Sequence, residues 1–566
     1  MNSYRLSRRT ALTAASLGGL SVLTGCAGIP GSSQPSSVPR PSMAVANAPI
    51  VEPHPPTAGA GPLEIVSGFL RACTGVHDDF AVARDYLTDS AASQWAPTEE
   101  CVVHPVQEEP LLTQVGAEEV DLSVWSSARV DSIGTRQQTL DPDTRSVRLR
   151  LTEEQGEWRI MNPPNAIIVS ETAFDLLFAP ITVFFLNPAR NALVADQRWF
   201  LRNQAARQAI TALHAGPAPH LRGAVVSDLS EDLTAELADE EAGESGVLRV
   251  SLTSSSGEID AHRRAHLRTQ LEATLLTVPA VTALDVDLEG ERLAADPQRD
   301  PVHPHEGARA LGAGPAGVIS LDDDGPPGRS LVPALSSVPV RSPVLSSTGI
   351  GAAALTMDRT GLLVTSQDDT IPLREATTGK NLLAPAIDRY GFVWTADADV
   401  PGQIRIIRDS IDAAPRVITV PWLQADVQLL AIAVAADGVR VTAVVRQGTR
   451  LLLAESAVLR EPSSAPKLLT NPLLSELSLE QVSALCWYSD LSMLIVGTEG
   501  GQPTAVIWDA VRGAQRVPPL RSGVVTGSGT LESGLILTAT EDGAVWQNSG
   551  SGWSALDVTA RDPGFY

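Results

Sequence analysis

Lysine is almost missing from this 566-residue chain: of its 42 basic residues only Lys380 and Lys467 are lysine. With abundant Ala, Gly and Arg, this points to a GC-rich genome more than to a physical requirement. Basic charge is scarce altogether, since 66 acidic residues leave a net charge of −24. The balance becomes still more negative when a leader carrying Arg5, Arg8 and Arg9 is removed. So acidic a chain argues against a nucleic-acid binder. It also rules out membrane attachment through a polybasic patch, because anionic headgroups would repel it. Aromatics make up 4% of the residues. None of the nine histidines lies beyond His305, so the last 261 residues have no imidazole for base or ligand work. After the leader no run of roughly 20 uncharged apolar residues is present to span a bilayer. The best candidate, Val427 to Val445, is broken by Asp437-Gly438 and Arg440 and reads as two strands with a tight turn.

What is present begins with a basic stretch, Met1 to Arg9, an apolar run, Ala11 to Thr24, and small residues before Cys26. This is a secretion signal. It ends in Leu23-Thr24-Gly25-Cys26, a lipobox in which cleavage falls between Gly25 and Cys26 and the Cys26 thiol is acylated. A diacylglyceryl thioether plus an N-acyl chain supplies the two or more anchoring signals that stable attachment needs. Ser7-Arg8-Arg9-Thr10 resembles a twin-arginine signal, although Ala11 replaces the usual large apolar residue, so both export routes stay open. Residues 26–62 are rich in Pro, Ser, Ala and Gly and read as a disordered stalk. Of the four cysteines, Cys73 and Cys101 fall in one domain of an oxidising compartment, which predicts a disulfide between them. Cys486, in the apolar run Val482 to Trp487, reads as a buried thiol.

Three globular regions follow. Residues 63–172 open with helical spacing at Ile65, Val66, Phe69, Leu70 and Cys73, repeated at Phe80, Ala83 and Leu87 after a cap at Asp78. Alternation then takes over through Val120, Leu122 and Val124, Ala128 and Val130, Val147, Leu149 and Leu151, and finally Trp158 and Ile160. This is an α+β domain in which a curved antiparallel sheet covers the helices, a cone-like fold. Residues 173–295 form an α/β domain: a strand from Ile181, a helix with Ala206, Ile210 and Leu213 ending at Gly216-Pro217, a strand Val247 to Leu252, a helix with Leu267, Leu271 and Leu275, and a closing strand Val281 to Leu288. Residues 296–315 read as a Pro-, Asp- and Gly-rich linker. In residues 316–566 a turn followed by an apolar strand recurs at Asp358–Gly361, Asp388–Gly391, Asp437-Gly438, Asp490-Leu491 and Ser533-Gly534. The spacing averages about 43 residues, the blade length of a β-propeller, and predicts about six blades.

Chemistry-bearing patterns are sparse. His262 and His266 have the i, i+4 spacing of paired metal ligands, but Arg263 and Arg264 lie between them and no third ligand is nearby, so a solvated helix face is expected. Asp322-Asp323-Asp324 and Asp368-Asp369 read as solvated turns, lacking the regularly spaced oxygens of a cation loop. Ser464-Ala465-Pro466-Lys467 matches SxxK by letters, yet Pro466 breaks the turn that would join Ser to Lys. No GxSxG, HExxH, GxGxxG or Walker loop occurs. No catalytic residue, metal or cofactor is therefore assigned.

The order of acylated stalk, α+β domain, α/β domain and histidine-free propeller resembles the actinobacterial lipoprotein LpqB family, which has a GerMN domain before its propeller. The likeness rests on Leu23 to Cys26, on Ala83-Arg84-Asp85-Tyr86-Leu87-Thr88 with Gly156-Glu157-Trp158-Arg159-Ile160, and on Ala212-Leu213-His214-Ala215-Gly216-Pro217. The resemblance implies a lipid-anchored accessory protein on the outer face of the cell membrane. Its expected partner is the extracellular domain of the sensor histidine kinase of the MtrAB two-component system, with effects on cell-wall homeostasis and division. The alternative is a sensor of cell-wall glycan or peptide fragments without direct kinase contact.

Overall fold

A computed structural model describes residues 53–566 apart from 239–244, 323–327, 348–350, 409–413, 549 and 551. The leader, Gly25, Cys26 and most of the stalk lie outside the described residues. From Pro53 to Tyr566 the chain is one compact unit.

The first helix, Pro62–Ala72, forms as its sequence dictates. Pro62 sits in the first turn, Glu64 reaches back to the Gly61 N–H at 3.1 Å, and Ile65, Val66, Phe69 and Ala72 are buried on one stripe. The second expected helix is broken. Asp78, Asp79 and Phe80 all have positive φ, and the chain instead makes two short helices, Ala81–Arg84 and Asp89–Gln94. Phe80 and Trp95 pack into the core at ring distances of 5.9 Å from each other and, for Trp95, 5.2 Å from Phe69, so aromatic burial overrides helix continuity.

The sheet beneath runs in the order 157–160, 136–154, 119–131, 100–104, 167–170, with Leu111–Gln114 also paired to 119–131. Every even position from Val120 to Val130 is buried, which is the alternation read from the sequence. One pairing departs from the antiparallel expectation: Cys101–His104 and Ile167–Ser170 run parallel. The Trp95 indole donates to the Pro164 carbonyl at 2.8 Å and pins the Pro163-Pro164 segment, which carries the chain back to the end where strand 100–104 starts.

In the middle domain a hairpin, Phe178–Leu186 with Leu193–Leu201, packs against helices Ala205–Ala215 and Ala261–Leu275. The first of these helices stops at Gly216, whose φ of 93° only glycine adopts readily. The second crosses over between the parallel strands Val247–Ser254 and Ala283–Leu288 and is capped by Asp260, which accepts from the His262 and Arg263 N–H groups.

Among the described residues the C-terminal region holds six sheets around a ring. The innermost strands are 561–565, 340–345, 386–387, 427–434, 481–489 and 524–530, each lying against the next. The first blade is closed by both ends of the domain: Arg561–Phe565 pairs with Ala310–Gly314, which pairs with Gly317–Ser320. Ala310–Gly314 lies inside the stretch read as linker. It shows no alternation because Ala310 to Ala313 are all buried, and at Gly312 there is no room for a side chain: a Cβ there would sit 3.1 Å from both Ala560 and Leu321.

The turn repeat is also partly out of phase. Asp388–Gly391, Asp437-Gly438, Asp490-Leu491 and Ser533-Gly534 join the first and second strands of blades three to six. Asp358–Gly361 joins the second and third strands of blade two, at the opposite end.

Candidate functional site at the domain junction

Alternate turns of an antiparallel blade fall at opposite ends, so the turns between first and second strands share one propeller face. Blades three, four and five carry an aspartate there. Asp388 accepts from the Tyr390 and Phe392 N–H groups at 2.9 Å, from the Trp394 indole at 3.0 Å and from Arg460 at 2.7 Å. Asp437 accepts from the Val439 and Arg440 N–H groups and from Arg440 Nε at 2.6 Å. The other end of the Arg440 guanidinium donates to the Asp490 carbonyl, and its plane lies 4.7 Å from the Trp487 ring. Burial pulls the Arg440 pKa down, but Asp437, Glu455 and Asp490 outweigh it and hold the guanidinium charged.

The middle domain sits on this face. Asn187 donates to the Tyr390 hydroxyl at 3.3 Å, Leu491 packs against the cluster of Phe184, Leu186, Leu193 and Ala195, and Val439, Ala457 and Leu459 join the middle-domain core. The first domain is tied in as well. Arg198, fully buried and paired with Asp196, donates to the Ile133 carbonyl, and Arg450 of blade four donates to the Leu140 carbonyl and pairs with Asp141.

The segment read as linker threads this junction. Val302 bridges to the hairpin of the middle domain, its N–H donating to Asn191 and its carbonyl accepting from Leu193, each at 3.0 Å. His303 Nε2 lies 2.8 Å from Asp490 Oδ2 and its ring stands edge-on to Phe184 and stacked on His305. The Glu306 carboxylate accepts from the Ala436 N–H at 2.9 Å. Burial, opposed by that hydrogen bond and by Arg440 but reinforced by Asp437 and Asp490, pushes the Glu306 carboxyl up to about 7. Burial also raises Asp490, yet the His303 hydrogen bond with Arg440 brings it below the usual carboxylate range. None of His303, His305 and Glu306 was marked by a sequence motif. The only signal was two histidines and an acid in a stretch otherwise read as a spacer.

Two family profiles match the chain: "Lipoprotein LpqB, N-terminal domain" over residues 55–175 and "Lipoprotein LpqB beta-propeller domain" over residues 323–565. The chain belongs to the LpqB lipoprotein family. Lipoprotein LpqB of Cutibacterium acnes is 26% identical over 99% of this chain and 100% of its own length. The Streptomyces avermitilis LpqB is 27% identical over 95% of each chain, and that of Streptomyces coelicolor 27% over 97% of each. The propeller profile begins at residue 323, so it omits the two strands of blade one that precede that position.

In this LpqB-family chain Cys26, the expected lipidation residue, and Gly25, its expected cleavage partner, lie outside the described residues. The disulfide expectation is corrected. Cys73 and Cys101 are both buried free thiols, close enough for one to raise the other's pKa, and burial pushes both far above the ordinary thiol range. Compartment and shared domain bring two cysteines into one core, but a bridge also requires Cβ atoms about 3.8 Å apart on converging vectors.

His262 is exposed as expected, whereas His266 is buried and its Nδ1 lies 2.6 Å from Asp228 Oδ2, with Arg190 on the other carboxylate oxygen at 2.8 Å. The solvated-face reading therefore fails for His266: with Arg190 holding the other oxygen, Asp228 gives the imidazole a buried partner. Among the described residues no group of three or more His, Cys, Asp or Glu side chains is placed to hold a metal. Asp322 accepts from the Ala310 N–H and Asp369 from the Ala334 N–H, so both cap backbone; Asp323 and Asp324 lie outside the described residues. No helix among the described residues is long and apolar enough to cross a membrane.

Proposed function

We infer that this LpqB-family protein is a lipid-anchored regulator that binds the extracellular domain of the sensor histidine kinase of the MtrAB system. The observation that carries the reading is the fusion of three domains into one block: Arg198, Arg450, Asn187 and the strap 296–309 tie first domain, middle domain and propeller together. Such a block suits the presentation of a fixed surface to a partner. The segment from Cys26 to Pro53 reaches at most roughly 90 Å at full extension. An anchored block on such a tether shares a thin layer with any membrane-embedded kinase, which raises effective concentration and lets a weak interface act. Bound preferentially to one state of the kinase, the block shifts its signalling equilibrium.

The test is calorimetric titration of the unacylated mature chain, Ala27 to Tyr566, against the purified extracellular domain of the kinase. Saturable binding in the micromolar range or tighter supports the reading. Absence of heat and of a complex at high concentration overturns it and turns attention to titration with wall glycan and peptide fragments.

A further inference from the structure

Strand Leu111–Gln114 forms an edge of the first-domain sheet, paired on one side with 119–131 and, among the described residues, with no strand on the other. The Val115 N–H donates to the Glu119 carbonyl at 3.1 Å and fixes the phase of this antiparallel pairing. Residues 111, 113 and 115 therefore turn their backbone groups toward 119–131, and Leu112 and Gln114 turn theirs outward. Open edges are usually blunted by a proline, a bulge or a charge within the strand. Leu111-Leu112-Thr113-Gln114-Val115 has none of these. The side chains at this edge are apolar as well. Leu111, at 64%, is the most exposed large apolar side chain among the described residues, and Val115 and Val106 in the preceding loop are exposed too. Leu111 stands opposite Ser123, one diagonal step from Trp125, the only exposed one of the ten tryptophans. Apolar groups left together on a surface mark a contact.

Charge decides which kind of contact this is. From Pro105 to Val120 the chain carries four glutamates and no basic residue. Arg148 approaches Glu119 at 3.8 Å, while Glu108, Glu109 and Glu118 make no ion pair among the described residues. Glu108 and Glu109 precede the strand and Glu118 follows it, so two copies paired antiparallel along this edge would set glutamates against glutamates. A foreign strand with basic ends meets complementary charge instead. We propose that the edge Leu111–Gln114 is a docking site that takes up an extended segment of a partner protein, apolar at its centre and basic at its ends, as an added strand. Main-chain bonds to the outward N–H and C=O groups of Leu112 and Gln114 hold the segment. Its apolar side chains cover Leu111 and Trp125, and its cations face Glu108, Glu109 and Glu118. The site does not depend on which protein supplies the segment, so a failed kinase titration leaves it standing.

The experiment is fluorescence anisotropy at physiological salt with the full unacylated mature chain and a labelled peptide carrying arginine at both ends and alternating valine and threonine between. Hydrogen–deuterium exchange is read on the same samples. Expected is saturable binding in the micromolar range, with severalfold slower exchange of the Leu112 and Gln114 amides. Gln114→Pro removes an outward N–H where an edge strand tolerates proline, and should weaken binding by several-fold to about tenfold. Gln114→Ala keeps that donor and should bind as the native chain does. The same peptide methylated on the backbone nitrogens that would face Leu112 and Gln114 should lose binding although its charge is unchanged. Absence of binding at millimolar peptide overturns the proposal, as does binding that survives both Gln114→Pro and backbone methylation. A dimer of the native chain that Gln114→Pro splits into monomers also overturns it, because the occupant is then a second copy.

Discussion

Arg460 of blade four reaches over the blade boundary to Asp388 of blade three, with 2.7 Å between Nη2 and Oδ2 and both side chains out of solvent. The guanidinium also stacks 4.4 Å from the Tyr390 ring and donates to the Gly438 carbonyl, so one side chain joins two blades at the face that meets the middle domain. Removing the cation while leaving the carboxylate strands a buried charge, which costs about 3–5 kcal/mol. Arg460→Met should lower the unfolding transition of the propeller by that amount in a denaturant titration. A loss below about 1 kcal/mol would show that the pair is hydrated and that the blades hold by apolar packing alone.

The thiol state of the first domain gives a separate check. Cys73, Cys101 and Cys486 are free, and burial raises all three pKa values, so the reactive thiolate is suppressed in each. In the native mature chain Cys73 and Cys101 should react with Ellman's reagent only over the time of unfolding, whereas Cys486, half-buried rather than fully buried as expected, should react sooner. After denaturation without reductant three thiols should appear, Cys26 being consumed by its thioether. One thiol in place of three would restore the bridge between Cys73 and Cys101.

How much of this was legible follows from what burial leaves in a sequence. The alternation at Val120 to Val130 and the spacing of Ile65, Phe69 and Ala72 predict strand and helix because one face of each is wet. Blade-to-blade spacing of Asp388, Asp437 and Asp490 was visible, since each stands in the same turn of its blade; Asp388 and Asp437 cap that turn, whereas the Asp490 carboxylate faces His303. What was hidden had no period. Ala310–Gly314 is too small and too enclosed to alternate, and the parallel partner of Cys101–His104 depends on a distant crossing at Pro164. His303 and Glu306 acquire meaning only from Asp490 and Ala436, 187 and 130 residues away. The partnership of His266 with Asp228, 38 residues upstream, is hidden for the same reason.

Closure of the propeller by its last residues predicts a sharp effect of a short truncation. Arg561–Phe565 is the innermost strand of blade one, and Tyr566 exchanges backbone hydrogen bonds with Arg309 while its ring lies 5.4 Å from the Arg309 guanidinium. Gly307 passes so close that a Cβ there would meet the Tyr566 backbone at 1.9 Å. Deleting Arg561 to Tyr566 exposes Ala310, Leu311 and their neighbours, at about 1.5–3 kcal/mol for each large apolar side chain. At roughly 2–4 °C per kcal/mol for a domain of this size, the melting temperature should fall by about 10 °C or more, with new protease cleavage near residue 310. An unshifted melting curve would mean that blade one does not depend on its C-terminal strand.

The proposed lipid attachment is tested at Cys26. The apolar run from Ala11 to Thr24 is too short to span about 30 Å of hydrocarbon as a stable helix, and no helix among the described residues is long and apolar enough to do so. The net charge of −24 disfavours adsorption to anionic lipid, so no secondary binding mode should mask loss of the anchor. A single acyl chain gives only marginal binding, whereas a lipobox cysteine carries more than one. Cys26→Ala should therefore move the protein from the washed membrane fraction to the soluble or secreted fraction, or leave an uncleaved precursor distinguishable by its larger mass. Retention of a mature-sized Cys26→Ala chain in salt-washed membranes would refute lipid anchoring and require a protein partner strong enough to hold the block at the surface by itself.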